Sequence, residues 1–361
     1  MKLLVIAVPT LVSGDAIGND VMIEYRLLKN EGHNIKIFAE NYQEQFSEFV
    51  CSFEEAIKAD IVFYHHGIYW ALGEKLLKKH KGKIRILRYH NVTPVEFFKK
   101  YSPDLANIVE IGRQQTRRLI KLSTHFLADS NYNAQELLSD GASSKLCKIL
   151  APFHHVDELI SAESDIMRLE YLTKGKKPNI LFVGRQVPNK GMHHFIYVAK
   201  EYTRFFGKKA NFIWIGGKDP TFELYYEEVQ GIINKNNLDD IISFPGKIPI
   251  NELKSYYLSS SIFLVISEHE GFGVPIIEAQ ALGVPIVALN RAAVGDTAGD
   301  DQLLFDDIDY ERFAVAIEVL LNNTDYRLKL IEKGKENFNK RFEKSILEKN
   351  FIEILMGVLK R

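Results

Sequence analysis

Short apolar runs alternate with amphipathic stretches along the whole chain, and this alternation limits the fold more than any single motif. In the first half the runs are Leu3–Ala7, Ile35–Phe38, Ile61–Tyr64, Ile84–Tyr89, Thr124–Ala128 and Cys147–Leu150. In the second half they are Asn179–Val183, Phe212–Ile215, Ile241–Phe244, Ile262–Ile266 and Pro285–Leu289. Each is rich in Ile, Val and aromatics and is flanked by polar or Gly residues, so each reads as a strand. Their near-continuous apolarity predicts strands covered on both faces, which means parallel sheets between layers of helix. Helical patterns lie between them at Val21–Asn30, Gly112–Leu122 and about Met192–Phe206, Phe222–Asn236, Asn251–Ser259 and Pro275–Leu282. Further helical patterns close the chain near Tyr310–Asn322, Tyr326–Phe338 and Ser345–Leu359.

The length of 361 residues suits two domains. The seam is "RLEYLTKGKKPN", Arg168 to Asn179, which is basic and aperiodic and reads as a linker. The expected fold class is therefore α/β with two doubly wound domains, 1–170 and 171–342. Such sheets bind ligands at the carboxyl ends of their strands, and the crevice between two of them is the expected site. With 46 basic and 47 acidic side chains, a broad nucleic-acid footprint is not expected. Two cysteines, Cys51 and Cys147, make no disulfide framework and suit a reducing compartment. The start, MKLLVIAVPT, is too short for a signal core and reads as a first strand, and no run of about 18 apolar residues appears. A cytoplasmic protein is expected.

The stretch "SEHEGFGVPIIEAQALGVPIVALN", Ser267 to Asn290, holds two acids, Glu270 and Glu278. Gly271 and Gly273 permit an unusual loop, Pro275 suits a helix first turn, and Gly283 stops that helix. The free N–H groups at the helix start, with Gly on each side of Phe272, form an anion site. At about 1.5 Å rise per residue the carboxylates stand on the order of 10 Å apart. That span suits one acid near a sugar and one near a ribose, with a diphosphate between. An acid/base pair on one bond sits at about 5–9 Å. The same spacing also fits a dipole-favoured acid followed by a solvated helix residue. After the strand Asn179–Val183 comes "GRQVPNKGMHHF", in which Gly184 precedes Arg185 and Lys190. A guanidinium fork and an ammonium at a strand end suit a diphosphate, although two solvated cations are the plain alternative. Gly14 and Gly18 frame a loop before a helix expected near Asn19, without the G-x-G-x-x-G of a dinucleotide site.

Together these pieces resemble the GT-B glycosyltransferases, and specifically the retaining family 4 with its E-x7-E motif, here Glu270 and Glu278 in "EGFGVPIIEAQALGVPIV". "FVGRQVPNKG" is similar to the family's G-R-x-x-x-x-K-G element. "DVMIEYRLLKNEGHNIKIF" and "LADSNYNAQEL" are similar to its N-domain segments. The resemblance implies two Rossmann-like domains facing a cleft, acceptor-side first and nucleotide-sugar-binding second, with a last helix near 343–361 packing back on the first. It implies transfer of a hexose from a UDP- or GDP-linked sugar to a glycan or lipid-linked saccharide, in cell-surface polysaccharide synthesis. Glu278 would meet the ribose, Glu270 the donor sugar with the N–H groups of Phe272, Gly273 and Val274, and Arg185 and Lys190 the diphosphate beside Gly184. Gly14 would lie near phosphate or acceptor, and His90 would touch the donor sugar. The expected Gly-Gly pair is Gly14-Asp15 here, the N-G-V-D turn is "PFHHVD", and Asp296 stands where the family has Glu. An epimerase of GT-B architecture and an inactive nucleotide-sugar-binding subunit are the rival classes.

The resemblance implies no cofactor and no metal. The pairs His65-His66, His154-His155 and His193-His194 invite a metal, but adjacent residues point apart in strands and converge poorly on helices. Trp70, Leu72, Leu76 and Leu77 beside Lys78, Lys79 and Lys81, with "FFKKY" at Phe97–Tyr101, fit either a peripheral membrane contact or a core with a solvated face.

Overall fold

The computed structural model describes residues 2–359. They divide into two compact units, the first Met1–Glu96, Asp104–His154 and Lys344–Arg361, the second Phe97–Pro103 and His155–Glu343. The first unit carries β1 (Leu3–Leu11), β2 (Asn34–Tyr42), β3 (Ile61–His66), β4 (Ile84–Tyr89), β5 (His125–Ala128) and β6 (Cys147–Ile149). They form one sheet in the order β2-β1-β3-β4-β5-β6, and every pairing is parallel. All six residues of β3 are buried, which is why its sequence shows no polar alternation. The direction of winding reverses between β1 and β3, so the loops after these strands flank the natural crevice of the sheet.

The first helix spans Ala16–Asn30, starting three residues before the expected Asn19. Asp15 is its cap, accepting from the Gly18 N–H at 3.0 Å. Gly18 therefore lies inside the helix, where a Cβ would come 2.7 Å from the Val12 carbonyl oxygen. The Asp that departs from the family's Gly-Gly pair has this structural employment. The last helix, Lys344–Leu359, belongs to the first unit, where Phe351 packs on Phe63 and edge-on to Phe153.

The stretch from Tyr69 to Lys83 has a buried side and an exposed side. Trp70, Leu76 and Leu77 are buried, with the indole stacked on Phe38 and Tyr64 at 5.8 and 5.4 Å. Its N–H donates to Glu40, and Lys78 pairs with Glu74 on the outer side. No helix among the described residues is long and apolar enough to cross a membrane.

The second unit carries β7 (Asn179–Val183), β8 (Asn211–Ile215), β9 (Ile242–Gly246), β10 (Ser260–Val265), β11 (Ile286–Leu289) and β12 (Leu303–Phe305). Its sheet is again parallel, in the order β12-β11-β10-β7-β8-β9, and the winding reverses between β7 and β10. β12 has no expected counterpart, because three half-buried residues at a sheet edge leave no periodic signal. The segment read as a linker is largely a helix, Ile166–Lys174, capped by Asp165. Asp165 accepts from Ser255 through its carbonyl, and Arg168 pairs with Glu252 at 2.8 Å. The division accordingly falls at His154/His155, earlier than the expected 170/171.

Candidate active site at the winding reversal of the second sheet

The loops after β7 and β10 are zipped together by backbone. The Asn189 carbonyl accepts from the N–H groups of Glu268 and His269, and its side-chain amide donates to the His269 carbonyl at 3.2 Å. Gly191 has φ +74°, and a Cβ there would stand 2.3 Å from the Ile266 carbonyl oxygen. Only a glycine combines that left-handed conformation with that approach. On the other side, Gly216 lies so close that a Cβ would reach 1.9 Å from the Gly184 carbonyl oxygen. That oxygen accepts from the indole N–H of Trp214 at 3.0 Å.

This zipper brings Lys190 and Glu270 into contact. The ammonium donates to Glu270 Oε2 at 2.5 Å, and the Ser267 hydroxyl donates to Oε1 at 2.8 Å. Both charged groups are mostly enclosed. The Glu270 carbonyl is tied down by the Ala293 N–H at 3.1 Å. Arg185, by contrast, is exposed. The helix Val274–Ala281 follows at once, with Gly273 at φ +97° as its cap and Pro275 in its first turn. The buried Phe272 is held through its carbonyl, which accepts from Thr297 at 2.7 Å. The N–H groups of Phe272, Gly273 and Val274 donate to nothing among the described residues, so the helix start keeps its anion-binding capacity.

Glu278 is the fifth residue of that helix, one position further along than the expected helix Pro275–Leu282 would place it. Its Oε2 accepts from the Tyr257 hydroxyl at 2.6 Å. Burial pushes the Glu278 carboxyl above its ordinary range, with Tyr257 opposing. Burial and the facing carboxyl drive the Tyr257 phenol well up, so it stays a donor. The two glutamates thus differ in character: Glu270 is ion-paired, while Glu278 is fixed by a neutral phenol. Asp296 pairs with Arg341 at 3.2 Å.

Gly14 and His90 lie on the first unit. Gly14 makes the turn after β1 at φ +79°, and His90 follows β4. A buried chain surrounds His90. Its Nδ1 meets Asp129 Oδ2 at 2.8 Å, its Nε2 meets His65 Nδ1 at 2.8 Å, and His65 Nε2 meets Glu24 Oε2 at 2.9 Å. Arg88, fully buried, donates to Asp20 and to the Leu150 carbonyl and pairs with Asp129 at 3.3 Å. His90 is drawn up despite burial, chiefly by Asp129. His65 is driven well down by burial and by His90. With His90 charged and His65 neutral, every N–H in the chain finds an acceptor. Burial pushes Glu24 up to about 8, Arg88 opposing. Sequence reasoning missed Asp20, Glu24, Arg88 and Asp129. The available signal was the i, i+4 pair Asp20 and Glu24 on the apolar face of the first helix.

Of the three histidine pairs, His65 and His66 do point apart, His66 bonding Thr116 at 2.9 Å. His155 pairs with Glu158. His193 and His194 do not diverge: their rings lie 3.8 Å apart and both face Glu268.

Two parallel, doubly wound six-stranded sheets are the architecture of the GT-B fold. Residues 163–337, just under half of the chain, match the model of the glycosyl transferases group 1 family. The chain is similar to 2-deoxystreptamine N-acetyl-D-glucosaminyltransferase of Niallia circulans, 28% identical over 73% of this chain and 68% of that protein. It is also similar to the capsular polysaccharide biosynthesis glycosyltransferase CapM of Staphylococcus aureus, 26% identical over 46% of this chain and 42% of that one. In fold it is similar to HepE of Anabaena, solved in complex with UDP and glucose, with a TM-score of 0.75, 14% identity and 99% and 100% of the two chains covered.

Proposed function

We propose that the chain transfers a hexose from a UDP- or GDP-linked sugar to a hydroxyl of a glycan or lipid-linked saccharide, with retention at the anomeric carbon, in cell-surface polysaccharide synthesis. The observation that carries this reading is the Lys190–Glu270 pair set beside the unused N–H groups of Phe272, Gly273 and Val274. A diphosphate in that place meets fixed donors and an ammonium, with Arg185 at the end of the same strand. Glu278 would accept from the ribose hydroxyls through the oxygen that Tyr257 leaves free, and Glu270 would lie by the sugar. Gly184 lets the donor approach the β7 end closely. Gly14 would serve phosphate or acceptor. His90 would reach a sugar hydroxyl once its bond to His65 opens. The UDP and glucose bound by HepE and the capsular role in CapM's name favour this donor type and this setting.

Retention needs the acceptor hydroxyl to attack on the face from which the diphosphate departs. The departing phosphate oxygen takes the acceptor's proton, so no side-chain base is required. The cations and the helix start stabilise the charge that accumulates on the leaving group. They do the work a divalent ion performs elsewhere, and no cofactor is needed for the chemistry. Donor screening by thermal shift tests the first step: a ligand at about 100 times its Kd adds about 2.7 kcal/mol. With the donor known, Lys190→Ala is expected to lower kcat by about 10²- to 10³-fold, the scale of one lost transition-state contact. Full transfer activity in Lys190→Ala sinks the phosphate assignment, and an inverted product, seen by NMR of the new linkage, sinks retention.

A further inference from the structure

His193 and His194 open the helix Met192–Phe206, and Glu268 lies in the loop after β10. His194 Nε2 stands 3.1 Å from Glu268 Oε1, and His193 Nε2 stands 3.9 Å from the same oxygen. All three ligand atoms lie within 4.8 Å of one another. The opposite ring nitrogens are engaged: His193 Nδ1 meets the Tyr225 hydroxyl at 3.0 Å and His194 Nδ1 meets the Tyr310 hydroxyl at 2.8 Å. His194 is only 8% exposed, yet its Nε2 has no hydrogen-bond partner. It approaches the carboxylate at short range but not along a hydrogen-bond direction. A buried nitrogen left in this way is costly unless something else occupies its lone pair.

We propose that His193 Nε2, His194 Nε2 and Glu268 bind one divalent transition-metal ion of the Zn2+ class. Each ring would donate its Nδ1–H to a tyrosine hydroxyl, which fixes the tautomer that turns the Nε2 lone pair towards the carboxylate. Ligating histidines are generally held in this manner. Two imidazoles and one carboxylate suit zinc and its neighbours and exclude calcium and magnesium, which take oxygen. At Zn–N of about 2.0–2.1 Å, tetrahedral ligand atoms lie about 3.3 Å apart. The 3.1 Å separation fits, and the 3.9 Å one closes by a small turn of His193, the more exposed ring. The ion would clip the first turn of this helix to the β10 loop, three residues from Lys190 and two from Glu270. It is a structural clip, and it stands or falls separately from the identity of the sugar donor.

The test uses full-length protein with any polyhistidine tag removed and metal stripped by chelator. Zn2+ affinity is measured by competition with a chromophoric chelator, and Co2+ is titrated for its visible absorption. Wild type is expected to bind one equivalent, to show an intense Co2+ band typical of four-coordination, and to gain Tm with Zn2+. Glu268→Gln, whose side chain is 32% exposed and tolerates change, should weaken binding at least about 10-fold and abolish the Tm gain. Tyr310→Phe should weaken it about 10- to 100-fold, the scale seen for groups that orient ligands. Absence of a bound equivalent in wild type, or equal affinity in wild type and Glu268→Gln, overturns the proposal. The His193→Ala/His194→Ala variant adds a third arm if it folds, and the other two decide the matter if it does not.

Discussion

Single side chains in this protein take their character from one partner each. Glu278 is the clearest case. Without Tyr257 its Oε2 would lose a donor worth about 1 kcal/mol, and burial would push the carboxyl further up. Tyr257→Phe is therefore expected to raise the Kd for the nucleotide about 5-fold while leaving kcat nearly unchanged, which isothermal titration and steady-state rates separate. An equal loss in kcat would place Glu278 at the reacting centre. Glu24 supplies a second prediction. Its ordinary value is 4.5 and its folded value about 8. Between these limits the folded state keeps a proton that the unfolded chain has released, so stability falls as pH rises through that window. Glu24→Gln stays neutral at every pH. Its Tm should therefore decline less than wild type from pH 5 to pH 8, and parallel curves would show that Glu24 is ionised in the fold.

At the scale of elements, the second sheet's two reversal loops act as one piece because glycine lets them touch. Gly191→Ala forces both a left-handed backbone at φ +74° and a clash with the Ile266 carbonyl. Gly207 has nearly the same φ, +77°, with nothing near its missing Cβ. At ψ −177° it sits in a region that essentially only glycine adopts, so Gly207→Ala carries backbone strain alone, about 1–3 kcal/mol. Gly191→Ala should lower Tm by several degrees more and should also weaken nucleotide binding, because Lys190 and Glu270 shift with the loop. Equal losses in the two variants would mean that the loop contact is unimportant. These elements were largely legible beforehand. β4 and β7 and the helix Met192–Phe206 fall where periodicity puts them. Shorter or half-buried pieces such as β12 and the helix Ile166–Lys174 were not, because too few of their residues face a core to leave a pattern.

For the whole molecule, the chain's last helix is spent on its first unit. Phe351 is buried against Phe63 of β3 and Phe153. Phe351→Ala removes a core aromatic and should cost about 3–5 kcal/mol. Hydrogen exchange should then show lost protection in β3 and β4 while β7 and β10 keep theirs. Uniform loss across both sheets would show that the units do not unfold separately.

The sequence by itself determined the two parallel sheets, the loops that follow β7 and β10, and the stretch from Glu270 to Glu278. These depend on local causes: periodic burial, glycines at positive φ, a proline in a first turn and residues spaced along one element. It also placed Lys190 and Glu270 at strand ends, though not in contact. Only the tertiary structure decided who faces whom. Tyr257 meeting Glu278, His65 meeting both Glu24 and His90, and His193 and His194 meeting Glu268 join residues from separate elements. No local propensity encodes such pairings. They arise when the packing of strands and helices brings their ends together, and burial then makes each unpaired polar atom costly enough to require its partner.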